Sequence, residues 1–260
     1  MKREKPVILV TNDDGITAPG IRALVAAAQK LGEVVVVAPD SPQSGMGHAI
    51  TIGHPLRLDK VDVFENVEAW QCSGTPVDCV KLARDIVLKR MPDICLSGIN
   101  HGANHSINVI YSGTMSAAME AAIEGVPSAG FSLLDFDFHA DFTVAQMVAE
   151  KVARQMLETQ TSAHLLLNVN IPKVKPEDFK GLKVCRQAFA SWTEEFDRRT
   201  DPRGREYYWM VGRFENKDQR PDTDMQALEQ GYASIVPVSF DLTDKSEKKR
   251  LETAWKGILE

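Results

Sequence analysis

Short unbroken apolar runs alternate with amphipathic stretches over the first two thirds of the chain, a pattern that predicts repeated strand and helix units of an α/β protein. Residues 7–11, 34–38, 94–96, 128–133 and 165–171 read as buried strands of a parallel sheet, because strands covered on both faces lose the apolar/polar alternation of half-exposed ones. Between the first two runs, Ile21, Leu24, Val25, Ala28 and Leu31 recur at helical spacing after Thr17-Ala-Pro-Gly, and Gly32 ends the helix. A second helix is announced by Thr75, Pro76 and Asp78, a hydroxyl cap, a proline in the first turn and an acid at the third helical position. A third begins at Tyr111-Ser-Gly-Thr and carries Ala117, Ala118, Ala121 and Ala122, small enough for close packing on a sheet; a fourth spans residues 144–157. Residues 50–70 break the rhythm with short alternations, Leu56-x-Leu58 and Val61-x-Val63, and read as a hairpin-like excursion.

Beyond Pro172 the character changes. A Lys/Pro/Glu-rich connection leads to residues 183–188 and 206–214, which read as arms of a projecting hairpin with a basic tip at 197–205; residues 231–238 read as a strand and 245–259 as a terminal helix. The expected division is a core over residues 1–172 and a C-terminal region over 173–260 used in oligomerisation. A hairpin carrying Trp192, Tyr207, Tyr208 and Trp209 needs another surface to cover them, and a second subunit is the expected one.

Composition narrows the function classes. The formal charge of -6, from 36 acids and 30 bases, disfavours binding to a nucleic acid backbone and points to small ligands. No apolar stretch approaches the ~20 residues that span a bilayer, and no signal-type segment follows residues 1–6, so a cytoplasmic protein is expected. Cys72, Cys79, Cys95 and Cys185 lack metal-type spacing and read as reduced core thiols.

Candidate chemistry gathers where the strands stop. The first apolar run ends at Asn12-Asp-Asp-Gly, which places Asp13 and Asp14 at the carboxyl end of a buried strand, the edge where open α/β sheets bind ligands. Two adjacent acids repel each other unless a cation or a proton lies between them, so a hard divalent metal is the economical explanation, with Asn12 as an amide ligand. An ordinary Asx-rich turn is the plain alternative. The second strand runs into a polar loop with Ser44, and the run at 93–100 delivers Ser97, Gly98 and Asn100 to the same edge. Ser112, Gly113 and Thr114 open the third helix with small and hydroxyl residues, a first turn suited to an anion through its backbone amides and the helix dipole. His101 and His105 resemble half a zinc site, but no third ligand of matching character is evident. A dinucleotide-dependent oxidoreductase would carry G-x-G-x-x-G after the first strand, where this chain has Asn-Asp-Asp-Gly.

Taken in order, these motifs resemble the SurE family of metal-dependent nucleotide phosphatases. The match runs through Thr11-Asn-Asp-Asp-Gly-Ile16, Val37-Ala-Pro-Asp40 with Ser44, Gly74-Thr-Pro-x-Asp-Cys79, Ser97-Gly-Ile-Asn100 and Ser112-Gly-Thr114 to Gly231-Tyr232 and Asp241-Leu-Thr243. The resemblance implies a Rossmann-like three-layer core with a C-terminal hairpin and helix appendage. It implies one divalent cation per subunit (Mg, Mn or Ca) on Asp13, Asp14, Ser44 and Asn100, and phosphate contacts from Asn104, Ser112, Gly113 and Thr114, beside Asn12. The implied reaction is hydrolysis of nucleoside 5'- and 3'-monophosphates by a homodimer or homotetramer. For that reaction Asp13, able to take a proton from the attacking water, is the candidate general base, and Asp14 could exchange roles with it in a shared site. A noncatalytic nucleotide sensor would keep the phosphate site without turnover. The chain departs from the family pattern at Ser106 and Asn108, where Gly and Asp are common.

Overall fold

In a computed structural model, residues 5–159 and 161–259 are described. Eleven strands are present among them, nine in one sheet: β1 (Val7–Thr11), β2 (Glu33–Pro39), β3 (Leu58–Val61), β4 (Glu68–Cys72), β5 (Ile94–His101), β6 (Ser128–Leu133), β7 (Leu166–Ile171), β8 (Leu182–Val184) and β11 (Ala233–Pro237), in the order β3-β4-β2-β1-β5-β6-β7-β11-β8. The six strands from β4 to β7 run parallel; β3 pairs antiparallel with β4, and β11 antiparallel with β7.

Two helical layers cover this sheet. On one face α1 (Pro19–Ala28) and α4 (Thr143–Glu158) bury Ile21, Leu24, Val148 and Val152 against Ile8, Val10, Leu96 and Phe131. On the other, α2 (Pro76–Leu82) and α3 (Gly113–Ile123) set Val80, Ala117 and Ala121 against Leu9, Val35 and Cys95. Each fully buried Val, Ile or Leu contributes roughly 1.5–3 kcal/mol, so β1 and β5, apolar on both faces, are forced to the centre. That placement brings their carboxyl ends side by side, with Val10 opposite Leu96 and Thr11 opposite Ser97.

The predicted cap of α2 forms in full: the Thr75 hydroxyl accepts from Asp78 N (3.2 Å), and Asp78 Oδ2 accepts from Thr75 N (2.9 Å). The segment read as an excursion instead lies on the sheet, since β4 pairs with β2 and β3 closes that edge. The hairpin arms also begin later than expected. Leu182–Val184 pairs with β11 in the main sheet, while the ribbon consists of β9 (Ala190–Thr200) and β10 (Glu206–Asn216) in unbroken antiparallel register. The terminal helix is split at Trp255 into α5 (Lys245–Ala254) and α6 (Lys256–Leu259). Cys72, Cys79 and Cys95 are buried and Cys185 is half-buried; all four are free thiols. No helix of the described residues is long and apolar enough to cross a membrane.

Candidate active site

Asp13 lies two residues past the end of β1 and is buried, with its carboxylate seated at the start of α3. Oδ1 accepts a hydrogen bond from the Thr114 hydroxyl. A helix start with orphan amides and the positive end of a dipole favours an anion there, and here that anion is a side chain of the protein itself. Residue 113 has to be Gly for this seat to exist, because a Cβ would lie 2.8 Å from both Cβ and Oδ2 of Asp13. Ser112 is the N-cap of α3, its Oγ accepting from Met115 N at 3.0 Å. The helix end therefore offers a phosphate fewer donors than its sequence promises, since Thr114 faces Asp13 and the Ser112 oxygen closes the turn.

Burial is the main reason the Asp13 carboxyl is pushed up to about 6; the Thr114 hydroxyl opposes the rise and the Asp14 charge adds to it. Asp14 is less buried and differently held: its Oδ2 accepts from His101 N (3.3 Å) and from His101 Nδ1 (3.2 Å). Asn12 donates from Nδ2 to Gly15 O (2.9 Å), leaving Oδ1 buried without a partner among the described residues. An orphaned amide oxygen followed in the chain by two adjacent carboxylates, one of them desolvated, is a donor set that fits a hard cation.

Asn100 lies at the end of β5 and donates from Nδ2 to Gly102 O at 2.6 Å, which fixes its amide with the oxygen left as an acceptor. Ser44 is exposed in the loop after β2, and that loop is stapled to the site at several points. Gln43 N donates to Asp13 O (2.7 Å), His48 pairs with Glu120 of α3 (2.9 Å), and the α2 cap holds Ala49 O and Thr51 N through Thr75 and Asp78. Asn104 is buried in a polar cluster: its N donates to Asn170 Oδ1 (2.7 Å), its Nδ2 to Ser132 Oγ (2.7 Å), and its O accepts from Asn168 Nδ2 (2.8 Å). The structure thus brings Asp13 together with Ser112, Gly113 and Thr114, ties the Ser44 loop to Asp13 by main chain, and holds Asn104 on Ser132, Asn168 and Asn170.

The two histidines diverge. His101 bonds Asp14 and meets the rings of Phe138 and Phe142, whereas the His105 ring meets Phe214 of the hairpin at 5.1 Å. Among the described residues no three His, Cys, Asp or Glu side chains form a metal-holding group, which leaves the two carboxylates with amide and hydroxyl oxygens as the donor set. Oxygen donors of this kind suit Mg, Mn or Ca better than zinc. The role of His101 in holding Asp14 escaped the sequence reading. Asn168 and Asn170 left a signal, two amides on one side of an otherwise apolar strand.

The departures at Ser106 and Asn108 also have an explanation. Ser106 has φ +53°, a conformation that favours Gly, yet its buried hydroxyl reaches Ala188 O (2.8 Å) and Ala190 N and O (both 3.1 Å) at the hairpin base. Its amide donates to Asp224 Oδ2 (2.8 Å), and Asn108 Oδ1 accepts from Trp192 Nε1 (2.8 Å). The loop after Asn104 is thereby welded to the hairpin. Ser106→Ala should destabilise by about 2 kcal/mol, because buried groups lose their partner while the backbone strain stays. Ser106→Gly should cost about 1 kcal/mol less, because the strain goes. Denaturant unfolding of both variants measures this; equal losses would remove strain from the account.

Comparisons with known proteins bear on the family and the fold. The family model described as "Survival protein SurE" matches residues 8–194. A protein named 5'-nucleotidase SurE from Christiangramia forsetii is 60% identical over 245 residues, covering 94% of each chain. Another of that name from Flavobacterium johnsoniae is 57% identical over 257 residues, covering 98% of this chain and 99% of that protein. The crystal structure of the SurE protein from Aquifex aeolicus superposes with a TM-score of 0.83 at 38% identity, covering 96% of this chain and 99% of that one.

Proposed function

The chain belongs to the SurE family, and from that premise we propose that it hydrolyses nucleoside 5'- and 3'-monophosphates at the site that holds Asp13, Asp14 and the start of α3. It is a nucleotide phosphatase, a phosphoric monoester hydrolase of the metal-dependent kind. The observation that carries the site assignment is the pair of adjacent carboxylates, one buried with its pKa raised and set against a helix N-terminus.

Asp13, Asp14, Asn100 and Ser44, with the orphaned Asn12 oxygen, would hold one divalent cation. Bound there, the cation supplies Lewis-acid polarisation of a phosphoryl oxygen and acidifies a water. The protein's own groups do the rest. His101 keeps Asp14 in one orientation through two hydrogen bonds to the same oxygen. The Thr114 hydroxyl occupies Oδ1 of Asp13, so a proton from the attacking water would be taken at Oδ2. The start of α3 and the Gly113 backbone orient the phosphate, and the Asn104 cluster fixes the loop that carries it. Phosphate release from 5'- and 3'-monophosphates by chelator-treated protein, with Mg, Mn, Ca or Zn added back singly, tests the reading. Turnover should return with at least one oxygen-preferring cation; failure with all four overturns it.

A homo-oligomer is part of the same reading. The β9–β10 ribbon is two strands alone, marginal in water, and it exposes Phe196, Tyr208, Trp209 and Met210. Replacing residues 193–213 by a short Gly/Ser turn keeps the Trp192–Phe214 contact and should lower the mass read by light scattering. An unchanged mass would place the subunit contact elsewhere.

A further inference from the structure

The loop between β6 and α4 holds two phenylalanines outward beside the site. Phe136 is 79% exposed and Phe138 70% exposed, although burying such a ring is worth roughly 1.5–3 kcal/mol. The exposure does not come from a slack loop. Gly102 N donates to the carbonyls of Leu133 (2.8 Å) and Asp135 (3.0 Å), and Lys173 Nζ donates to Asp135 Oδ1 (2.9 Å). Asp137 N donates to Asp135 Oδ1 (3.1 Å), His139 N to Asp137 Oδ1 (2.9 Å) and Ala140 N to Asp137 O (3.0 Å). The rings are aimed as well as exposed. Phe138 lies parallel to His101, with centroids 6.5 Å apart and planes 5° apart, and His101 is the residue bound to Asp14. Phe136 lies over the Gly102 backbone, where a Cβ would be 2.3 Å from its ring.

We propose that Phe136 and Phe138 form a stacking platform for the nucleobase of the substrate, one imidazole ring away from the carboxylate pair. The inference rests on the nucleotide phosphatase reading and deepens it. A nucleoside monophosphate has a single flat apolar part, its base, and a phosphate held at Asp13 and Asp14 leaves that part to be met by the wall of the site. Aromatic stacking serves any base, because each has a π-face, so the platform gives preference for a nucleotide over a base-free sugar phosphate and little discrimination among bases.

The test compares adenosine 5'-monophosphate with ribose 5-phosphate, which carry the same ester on the same sugar carbon, for the unmodified enzyme, the Phe136→Ala/Phe138→Ala double variant and Phe138→Trp. The double variant should raise KM for the nucleotide about tenfold, ~1.4 kcal/mol, within the range for a base–aromatic stack, with kcat and the ribose 5-phosphate KM unchanged. Phe138→Trp should keep the nucleotide preference. An unchanged nucleotide KM, or an equal loss for both substrates, overturns the platform. So does a nucleotide preference lost in Tyr111→Ala and kept in the double variant, or a lower oligomeric mass in the double variant with preference intact. Hydrolysis of neither substrate by the unmodified enzyme fails the phosphatase reading itself, whereas equal KM values for both substrates fail the platform alone.

Discussion

Changing Asp13→Asn together with Asp14→Asn is expected to lower kcat/KM for a nucleoside monophosphate by at least about a thousandfold and to abolish stabilisation by the activating cation. The size follows from what is removed. Metal-assisted charge stabilisation is worth several kcal/mol, and ~4 kcal/mol corresponds to about three factors of ten. In the unmodified protein the cation binds the native state alone, so at a concentration a hundred times its Kd it should stabilise by ~2.7 kcal/mol. For a chain of this size that is a rise in Tm of roughly 5–10 °C. The two amides keep nearly the same shape and can still accept from Thr114 and His101, so loss of fold should not account for the loss of turnover. Activity above a tenth of the starting value, or a cation-dependent Tm rise that survives, would move the cation to other residues.

The central strands and the caps were legible in the sequence because their causes are local or compositional. β1 and β5 are apolar on both faces, which only a buried parallel strand requires, and the Thr75 to Asp78 box closes within four residues. The hairpin boundary was not legible. Leu182–Val184 has the composition of a ribbon arm, and only pairing with β11, some fifty residues later, commits it to the main sheet. The same holds at the site. Asp13 and Asp14 were marked by sitting where an apolar run stops, but the seat of Asp13 on Thr114 joins residues 101 positions apart, and the His101 bond to Asp14 joins residues 87 apart. Spacing along the chain carries no trace of either. The Ser106 and Asn108 departures were visible as differences, and their meaning appeared only with the hairpin base in place.

Metal-free protein should show a stability difference between wild type and Asp13→Asn that depends on pH, with a sign fixed by the raised carboxyl. Burial lifts the folded-state pKa of Asp13 from 3.8 to about 6, so the native state binds the proton more tightly than the unfolded chain does. The Asp13 contribution to stability is therefore fully present below about pH 4 and is lost as pH rises through about 6. A shift of about two units corresponds to ~3 kcal/mol. Other carboxylates act in the opposite sense: Glu120, whose pKa is lowered chiefly by His48, loses its contribution as pH falls, so the total curve does not isolate Asp13. Subtracting the wild-type curve from that of Asp13→Asn does. In chelator the neutral variant should be the more stable of the two by about 2–3 kcal/mol at pH 8, and the gap should shrink to about half of that by pH 5. With saturating cation the order should reverse above pH 6, because a carboxylate must shed its proton to become a ligand. Urea midpoints at pH 5, 6, 7 and 8, with chelator and with the activating cation, measure both series. If the gap in chelator is the same at every pH, or if Asp13→Asn is the less stable protein at pH 8, Asp13 is a structural cap for α3 and the cation is held without it.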